Sequence, residues 1–511
     1  MPINRRTVIA VTAAALAARP ARAATPAFYT ARLGQDLANL DPAFRVSPQD
    51  NSVIWAIHQR LVRFRAGAAE YEPDAAASVR QTSPTTVDFT LRPDQMFTGG
   101  FGAMTADDVK FSFERIAHGH PASPYQADWA NLDRVDVTGP LSGTIVMTRP
   151  SPALWPIGLA DGSGCIVSRA AMAQLGNRAA LQPVGSGPYR LARFEPQRLA
   201  LLTRNTGYAG PPAPWEEIRL RTVTDPKTAE LAFHASELDF TELTPFTIAA
   251  LRAAPFAGSP ATRLIQRAGM RFVWLSLNVE KPPLDDPAMR QAIALGLDVD
   301  AMVLAGYNGL AARARALIPP DAAGSWPDAP AQARDPARAR ALLAGRTPQL
   351  RLTLLNTPEF ATMALVARAQ LAEIGVDLVL DIRDGGTYWS SGKGEAGRDL
   401  DLVLMRFNGK LDPNFNTQWF TQSQVGVWNW SRWRSPEYDA LNAEAAATVD
   451  PAARAALIIR LQQLMAASGA FIWLTHDVDL FATRDWLRPA IMPTGSDWQF
   501  AQFSLTDRLH A

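Results

Sequence analysis

The sequence is poor in the residues that build disulfides and metal centres. It has a single cysteine, Cys165, which cannot form an intrachain disulfide and stands too far from the N-terminus to carry a lipid anchor. Its six histidines are scattered, and no His-Glu-x-x-His pattern occurs, which argues against a zinc hydrolase. The one close pair, His118 and His120, is expected on a surface loop. The sequence therefore predicts neither a metal nor another cofactor.

Motifs for catalysis and nucleotide binding are missing as well. The Gly-Ser-Gly run from Gly185 to Gly187 lacks the spacing of a nucleophile elbow, and Pro188 would break the helix that follows such a turn. Lys393 is followed by glycine instead of the serine or threonine of a phosphate-binding loop. The formal net charge is only +1, without a basic block or an acidic tail, which argues against nucleic acid as a partner. We expect a protein that is not an enzyme.

The N-terminus carries the pattern of an export signal. The apolar run from Val8 to Ala18 is too short to span a bilayer but has the length of a signal-peptide core. The pair Arg5-Arg6 precedes it, and a small-x-small cleavage site ends at Ala23. We predict a signal peptide over residues 1–23 and export to the periplasm. The arginine pair favours a twin-arginine signal, and an ordinary Sec signal with two adjacent arginines is the alternative.

The rest of the chain predicts an α/β protein with more than one lobe. About 488 residues remain after cleavage, which is more than one hydrophobic core usually holds. Thr105 with Asp108 three residues on predicts a capping box at a helix start. Further helix starts, each with proline after an Asp or Ser cap, are predicted at Pro287, Pro336, Pro436 and Pro451. A strand, a helix and a second strand predict a βαβ unit over residues 352–355, 359–374 and 376–382.

Tryptophan is abundant in this chain. It has 14, of which four lie close together in sequence: Trp419, Trp428, Trp430 and Trp433. Large rigid aromatic surfaces are favoured in clefts that bind small molecules. A packed aromatic cluster that holds a loop in place is the alternative, and the sequence leaves both interpretations open.

Seven blocks, in order along the chain, match one protein family. They are LDP (from Leu40), FTLRPDQMFTGGFGAMTADDVKFSFERI (from Phe89), VGSGPYRL (from Val184), LNVEKPPLDDPAMRQAIALGLD (from Leu277), DPARARALLAG (from Asp335), LDPNF (from Leu411) and SPEYDALNAEA (from Ser435). On these blocks, which are spread over nearly the whole mature chain, the sequence resembles the family 5 extracellular solute-binding proteins. That family comprises the oligopeptide-, dipeptide- and nickel-binding subunits of ABC importers.

The resemblance implies a two-lobed α/β fold, the large family 5 form of the type II periplasmic-binding-protein fold, with a ligand cleft between the lobes. Lobe I is expected to comprise residues 24–268 together with the returning segment 480–511, and lobe II residues 269–479. Two strands are expected to cross between the lobes, the first over residues 271–278. Closure of the lobes on a ligand is expected to be a hinge motion.

The implied function is that of a periplasmic substrate-binding subunit, which captures a peptide-like or other small solute and delivers it to a membrane permease. The implied partners are the permease and ATPase subunits of an ABC importer, and the protein itself is expected to be a monomer that reaches the inner membrane only through the permease. A periplasmic hydrolase or transferase and a sensor subunit are the alternatives, since a fold does not dictate a function.

The resemblance also implies where a ligand is contacted. In this family the cleft is lined by the loop after the first Asp-Pro motif, by the segment before the second such motif and by the C-terminal return, and an aromatic residue often stands in its wall. The residues at these positions are Arg45, Ser47, Trp129, Arg406, Phe407, Asn408 and Ser496.

One position departs from the peptide-binding relatives. These carry an aspartate three residues before the acid of the second Asp-Pro motif, and its carboxylate pairs with the α-ammonium group of the peptide. Here that position is Gly409, between Arg406 and Lys410. The departure predicts that peptides with a free N-terminus are poor ligands and that an anionic group is favoured. The alternative is that both cations face solvent.

Overall fold

The computed structural model describes residues 26–506 except 120, 122, 254–260 and 332. The predicted signal peptide and its cleavage site lie outside the described residues, as do His120 and His510. Among the described residues, no helix is both long and apolar enough to cross a membrane.

Strands and helices are mixed along the whole described chain. The strands are β1 (Phe28–Leu33), β2 (Val62–Phe64), β3 (Tyr71–Pro73), β4 (Ala76–Ser83), β5 (Thr86–Leu91), β6 (Leu132–Gly139), β7 (Ser142–Met147), β8 (Tyr189–Glu195), β9 (Leu199–Arg204), β10 (Glu217–Thr222), β11 (Phe240–Glu242), β12 (Thr262–Ala268), β13 (Phe272–Leu277), β14 (Gln349–Leu355), β15 (Asp377–Arg383), β16 (Leu402–Phe407), β17 (Phe471–Thr475), β18 (Val478–Arg484), β19 (Leu487–Arg488) and β20 (Ser504–Leu505). The α-helices are α1 (Pro48–Ile57), α2 (Ala106–Ala117), α3 (Arg169–Leu175), α4 (Pro226–His234), α5 (Pro245–Ala253), α6 (Pro287–Gly296), α7 (Val299–Tyr307), α8 (Pro336–Leu343), α9 (Pro358–Ala372), α10 (Gly385–Ser391), α11 (Pro413–Thr417), α12 (Pro436–Ala447) and α13 (Pro451–Ser468).

Two large sheets organise the molecule. A seven-stranded sheet has the order β12-β18-β11-β1-β10-β9-β8, and a five-stranded sheet has the order β15-β14-β16-β13-β17. A four-stranded antiparallel sheet, β4-β5-β7-β6, shares the hydrophobic core of the seven-stranded sheet. We call residues 26–268 and 478–506 lobe I and residues 272–475 lobe II, after these two sheets. The mixture of helices with parallel and antiparallel strands confirms the predicted α/β class.

The chain passes between the two large sheets twice. β12 ends the first passage through lobe I at Ala268, and β18 returns to the same sheet at Val478. The predicted crossing over residues 271–278 is wrong in position, because β13 pairs on both edges with lobe II strands, β16 and β17. The crossings are the short segments 269–271 and 476–477. The predicted limits at residues 268 and 479 stay a prediction about which residues move together.

The predicted βαβ unit is present in lobe II. β14 and β15 pair in parallel, and α9 connects them. α9 has proline in its first turn and ends at Ala372, two residues before the predicted end at Ile374. Gly375, with a φ of 89°, then adopts the left-handed conformation that redirects the chain into β15.

The predicted helix starts are confirmed. Thr105 and Asp108 form a capping box at the start of α2. Four other predicted caps accept a hydrogen bond from a first-turn N–H and are followed by proline: Asp286, Asp335, Ser435 and Asp450. Local sequence therefore determines where these helices begin.

Buried hydrophobic side chains form three clusters. One fills lobe I. The second covers one face of the five-stranded sheet and continues past the crossings to Phe233 on α4 and Ile248 on α5. The third covers the opposite face of that sheet and is rich in aromatic residues. Because both faces of the five-stranded sheet are covered, every residue of β13 is buried.

Candidate ligand cleft

Side chains of both lobes meet around a cavity of about 180 Å³. Lobe II contributes Asn408, Lys410 and Phe415, and lobe I contributes the rest of the lining: Arg45, Val46, Ser47, Pro48, Asn51, Tyr125, Asp128, Ile157, Asp161, Ser496 and Asp497. Two cations and three carboxylates are among these side chains, beside the apolar side chains of Val46, Pro48, Ile157 and Phe415.

Short-range hydrogen bonds shape the loop that carries Arg45 and Ser47. Asp41 accepts the backbone N–H of Ala43 at 2.9 Å. Ser47 caps α1: its Oγ accepts the Asp50 N–H at 3.0 Å, and the Asp50 carboxylate accepts the Ser47 N–H at 3.1 Å. Ser47 borders the cavity, and its hydroxyl oxygen already serves the helix.

Arg45 lies buried beside the cavity and contacts several groups of lobe I. Its guanidinium donates to the Pro42 carbonyl at 2.7 Å and to the Ser163 hydroxyl at 3.1 Å, and it stacks 3.5 Å above the ring of Tyr125. Asp128 supplies the counter-charge at 3.7 Å. Burial raises the pKa of Asp128, and the charge of Arg45 opposes that shift. These contacts hold the cation in one position.

Lys410 reaches from lobe II to two carboxylates of lobe I. Its Nζ lies 2.9 Å from Asp161 and 3.2 Å from Asp497, and both carboxylates are buried. The amide nitrogen of Asn51 donates to each carboxylate at 2.9 Å. Burial alone would raise the pKa of Asp161, but the charges of Lys410 and Arg45 outweigh it and lower that pKa. Burial alone would lower the pKa of Lys410, but the two carboxylates raise it.

A tight turn presents Asp161 to the cavity. The Asp161 carboxylate accepts the Gly162 N–H at 2.6 Å. A Cβ on Gly162 would stand 2.1 Å from Oδ1 of Asn51 and 2.8 Å from Nε of Arg45. Glycine is therefore needed here, because Arg45 and Asn51 pack directly against the backbone of the turn.

Of the three predicted residues at the end of β16, one lines the cavity and two do not. Asn408 is exposed and lines the cavity. Arg406 lies outside the cavity lining, because Glu359 at 3.2 Å and Asp477 at 3.5 Å bind its guanidinium. Phe407 also lies outside it, because its ring packs against Trp274 in the third hydrophobic cluster, with centroids 5.1 Å apart.

Of the other two predicted residues, Ser496 and Trp129, only the first lines the cavity. Ser496 lines the cavity, and its hydroxyl donates to Asp497 at 3.3 Å. Trp129 is a correction: it has no exposed surface and cannot form the cleft wall in this conformation. Its ring stacks on Phe113 with centroids 4.3 Å apart, and its Nε1 donates to the Ser163 carbonyl at 3.1 Å. It supports the cavity from behind.

The tryptophan-rich segment forms a packed aromatic cluster in lobe II. Trp430 is buried and donates to the Val427 carbonyl at 3.0 Å. Trp419 and Trp428 meet edge-on, with centroids 6.4 Å apart. None of the four tryptophans lines the cavity, which Phe415 reaches instead. Of the two interpretations of this segment, the packed cluster is the one that the structure supports.

Sequence reasoning misses most of the charged lining. In the sequence Lys410 stands out only as a local cation, and Asp497 directly follows the predicted Ser496. Only Phe415 among the other missed residues stands in one of the blocks that carry the resemblance, and the rest belong to none of them: Val46, Pro48, Asn51, Tyr125, Asp128, Ile157 and Asp161. Only the folded chain brings them together.

A wider groove of about 1270 Å³ borders the crossings. Its lining includes Tyr71 and Trp155 of lobe I and Pro319 and Pro320 of lobe II. None of the residues predicted to contact a ligand lines this groove. Charged side chains line both spaces, and we take the smaller cavity as the candidate ligand cleft because four of the predicted residues line it.

Comparison with known proteins places the chain among solute-binding proteins. A family model described as bacterial extracellular solute-binding proteins, family 5, matches residues 70–429. The probable di/tripeptide-binding protein 5 of Pseudomonas aeruginosa (strain UCBPP-PA14) is 29% identical over 471 residues, which cover 83% of this chain and 85% of that protein.

Solved structures share the fold. The periplasmic binding protein DppA of Helicobacter pylori, in complex with the peptide STSA, has a TM-score of 0.80 and 22% identity, with coverage of 94% of this chain and 98% of that chain. MoaA of A. tumefaciens R10, in complex with mannopinic acid, has a TM-score of 0.79 and 24% identity, with coverage of 94% and 100%. These likenesses confirm the predicted two-lobed fold.

Proposed function

The chain belongs to family 5 of the bacterial extracellular solute-binding proteins, and we propose that it is the periplasmic subunit that captures a peptide-like solute between its lobes and delivers it to the permease of an ABC importer. The observation that carries the proposal is the charged cavity, to which both lobes contribute polar side chains. A solute bound there contacts both lobes at once and thereby favours the closed arrangement that a permease can recognise.

We infer that Arg45, Asn408, Lys410 and Ser496 contact the solute. Asn408 is exposed to the cavity, and its amide offers both donors and an acceptor. Relatives named for di- and tripeptides and solved structures with a peptide or mannopinic acid support a small, polar, peptide-like solute.

The geometry around Gly409 supports a solute without a conventional α-ammonium contact. A Cβ at this position would stand 2.1 Å from the Met270 carbonyl oxygen. The position where the resemblance implies an aspartate in peptide-binding relatives is glycine here, and its backbone has no room for a side chain. That peptides with a free N-terminus are poor ligands stays a prediction.

Titration of the mature protein with its solute should show one binding site per monomer and a more compact molecule. Closure brings the two lobes together, so small-angle scattering should give a smaller radius of gyration when the solute is present.

Asn408→Ala should weaken binding about tenfold, the effect of one hydrogen bond of about 1.4 kcal/mol. Native mass spectrometry of the exported protein would identify the solute for this titration.

The matched control is Asn177→Ala, an exposed asparagine of lobe I outside the cavity. It should leave affinity and scattering unchanged. Scattering curves that are identical with and without a tightly bound solute would contradict closure.

We also infer binding without chemical conversion: solute recovered after long incubation should be unchanged, and a released product would point to an enzyme.

We expect the exported protein to begin at Ala24. The small-x-small pattern that ends at Ala23 motivates this prediction, and N-terminal sequencing of the protein from a periplasmic fraction would test it. Replacing Ala21 and Ala23 with bulky residues should block cleavage, whereas the same change at Ala13 and Ala14 should leave the cleavage position unchanged. A mature chain that starts well beyond Thr25, or an uncleaved chain in the membrane, would contradict the assignment.

A further inference from the structure

The amino group of Lys410 occupies a pocket with the chemistry of an ammonium receptor. The carboxylates of Asp161 and Asp497 face it at 2.9 and 3.2 Å, and their side chains are only 5% and 3% exposed. Thr494 donates to the Asp497 carboxylate at 3.1 Å and fixes its orientation. Buried, charge-assisted hydrogen bonds of this kind are strong, and they bind a primary ammonium group whatever molecule carries it.

Asn51 fixes the positions of the two carboxylates that form the pocket. The side-chain nitrogen of Asn51 donates to both carboxylates, which keeps the two negative charges side by side. Asn51 is only 3% exposed, and its Oδ1 has no hydrogen-bond partner among the described residues. A buried polar atom without a partner costs stability. The amide is therefore positioned for its two donated bonds, although its own oxygen is left unsatisfied.

The ammonium group in this pocket comes from the opposite lobe. Lys410 follows β16 of lobe II, whereas Asp161 and Asp497 belong to lobe I. Two of the three N–H donors of Lys410 serve the carboxylates, and no described residue accepts the third. Each carboxylate already accepts from Lys410 and from Asn51. The cleft therefore offers a solute free donors more readily than free carboxylate oxygens.

We propose that Lys410 is a built-in substitute for a ligand ammonium group: it fills the Asp161–Asp497 pocket, connects the two lobes across the cleft and excludes solutes that carry an ammonium group at this point. Lys410 is then a specificity-determining residue, and the solutes admitted are neutral or anionic where they meet it. The biological meaning of this inference rests on the proposed solute-binding function.

Removing the lysine side chain should turn the pocket into a receptor for free amines. Lys410→Ala deletes three carbons and the amino group, the shape of n-propylammonium. By calorimetry, without any other solute, this variant should bind n-propylammonium at least about tenfold more tightly than the unchanged protein does. Small-angle scattering should show that the variant is more expanded than the unchanged protein and that n-propylammonium restores its compactness.

Three controls isolate the charge and the pocket. Lys410→Met keeps the lysine side chain's length up to its terminal atom and removes the charge, and it should expand the protein but leave no room for the amine. Asp161→Asn in the Lys410→Ala background should abolish amine binding. n-Propanol, which has the same shape and no charge, should not restore compactness.

Two results would overturn the proposal. One is amine binding by Lys410→Ala that is no tighter than by Lys410→Met. The other is identical scattering of the unchanged protein and of both Lys410 variants. Neither experiment needs the natural solute, so their failure would leave the proposed function untouched, and the solute titration described above tests that function separately.

Discussion

Arg271→Met should lower the free energy of unfolding by about 3–5 kcal/mol, the range for removing one partner of a buried ion pair. Arg271 sits in the first crossing and pairs with Asp477 at 3.1 Å and Asp479 at 2.9 Å. Glu242 of β11 lies 3.5 Å from the same guanidinium. Burial alone would lower the pKa of Arg271, but the surrounding carboxylates outweigh it and raise that pKa. Without Arg271, the buried carboxylates of Asp477 and Asp479 lose the cation that they share, and each keeps one other arginine neighbour, Arg406 and Arg267 respectively.

Urea unfolding of the unchanged protein and the variant measures this effect. The matched control is Arg134→Met, because Arg134 pairs with Asp136 at 2.9 Å but its side chain is 52% exposed. An exposed pair contributes at most about 1 kcal/mol, so the control should change stability little. Equal losses for the two variants would contradict the assignment of Arg271 as the main charge that joins the crossings.

The fold is predictable from the sequence where its signals are local. The capping box of Thr105 and Asp108 and the proline-started helices depend on residues within one turn, and the structure confirms them. The end of α9 is less predictable because Ile374 continues the apolar pattern although the helix stops at Ala372. The hydrophobic pattern reports which side chains are buried, and Ile374 is buried without being helical.

The position of the first crossing between the lobes is a second feature that the sequence does not determine. The run from Phe272 to Leu277 is entirely apolar except for Ser276, which suits a strand that leaves one core and enters another. In the structure the same run is an internal strand covered by two clusters. Continuous burial does not reveal whether the neighbours on each side belong to one lobe or to two. Strand pairing decides this, and it depends on partners far away in sequence.

The cleft is less predictable than the fold because its contacts are long-range. Asn51 and Asp497, which share a hydrogen bond, are 446 positions apart. The resemblance locates segments, and four of the residues it indicates line the cavity: Arg45, Ser47, Asn408 and Ser496. It does not determine which way a side chain points, and Trp129 accordingly turns into the core.

Acidification from pH 7 to pH 4 should destabilise the protein by about 3 kcal/mol for each of two buried histidines. Burial lowers the pKa of His58 to about 4 and, likewise, that of His476 to about 4. In the unfolded chain both titrate near the ordinary value of 6.5. Between these values the unfolded chain binds more protons than the native protein. Stability is therefore complete above about pH 6.5 and is lost as the pH falls toward 4.

Urea unfolding at several pH values, combined with a variant that cannot titrate, isolates this contribution from that of the carboxylates. His476→Gln keeps an N–H donor for the Ala316 and Leu317 carbonyls, which lie 3.1 and 3.2 Å from Nε2. It should reduce the loss between pH 7 and pH 4 by about 3 kcal/mol, because one titrating group is removed. The exposed His118 provides the control, His118→Gln. If both variants and the unchanged protein lose stability equally on acidification, His476 is not neutral in the native protein and the prediction is wrong.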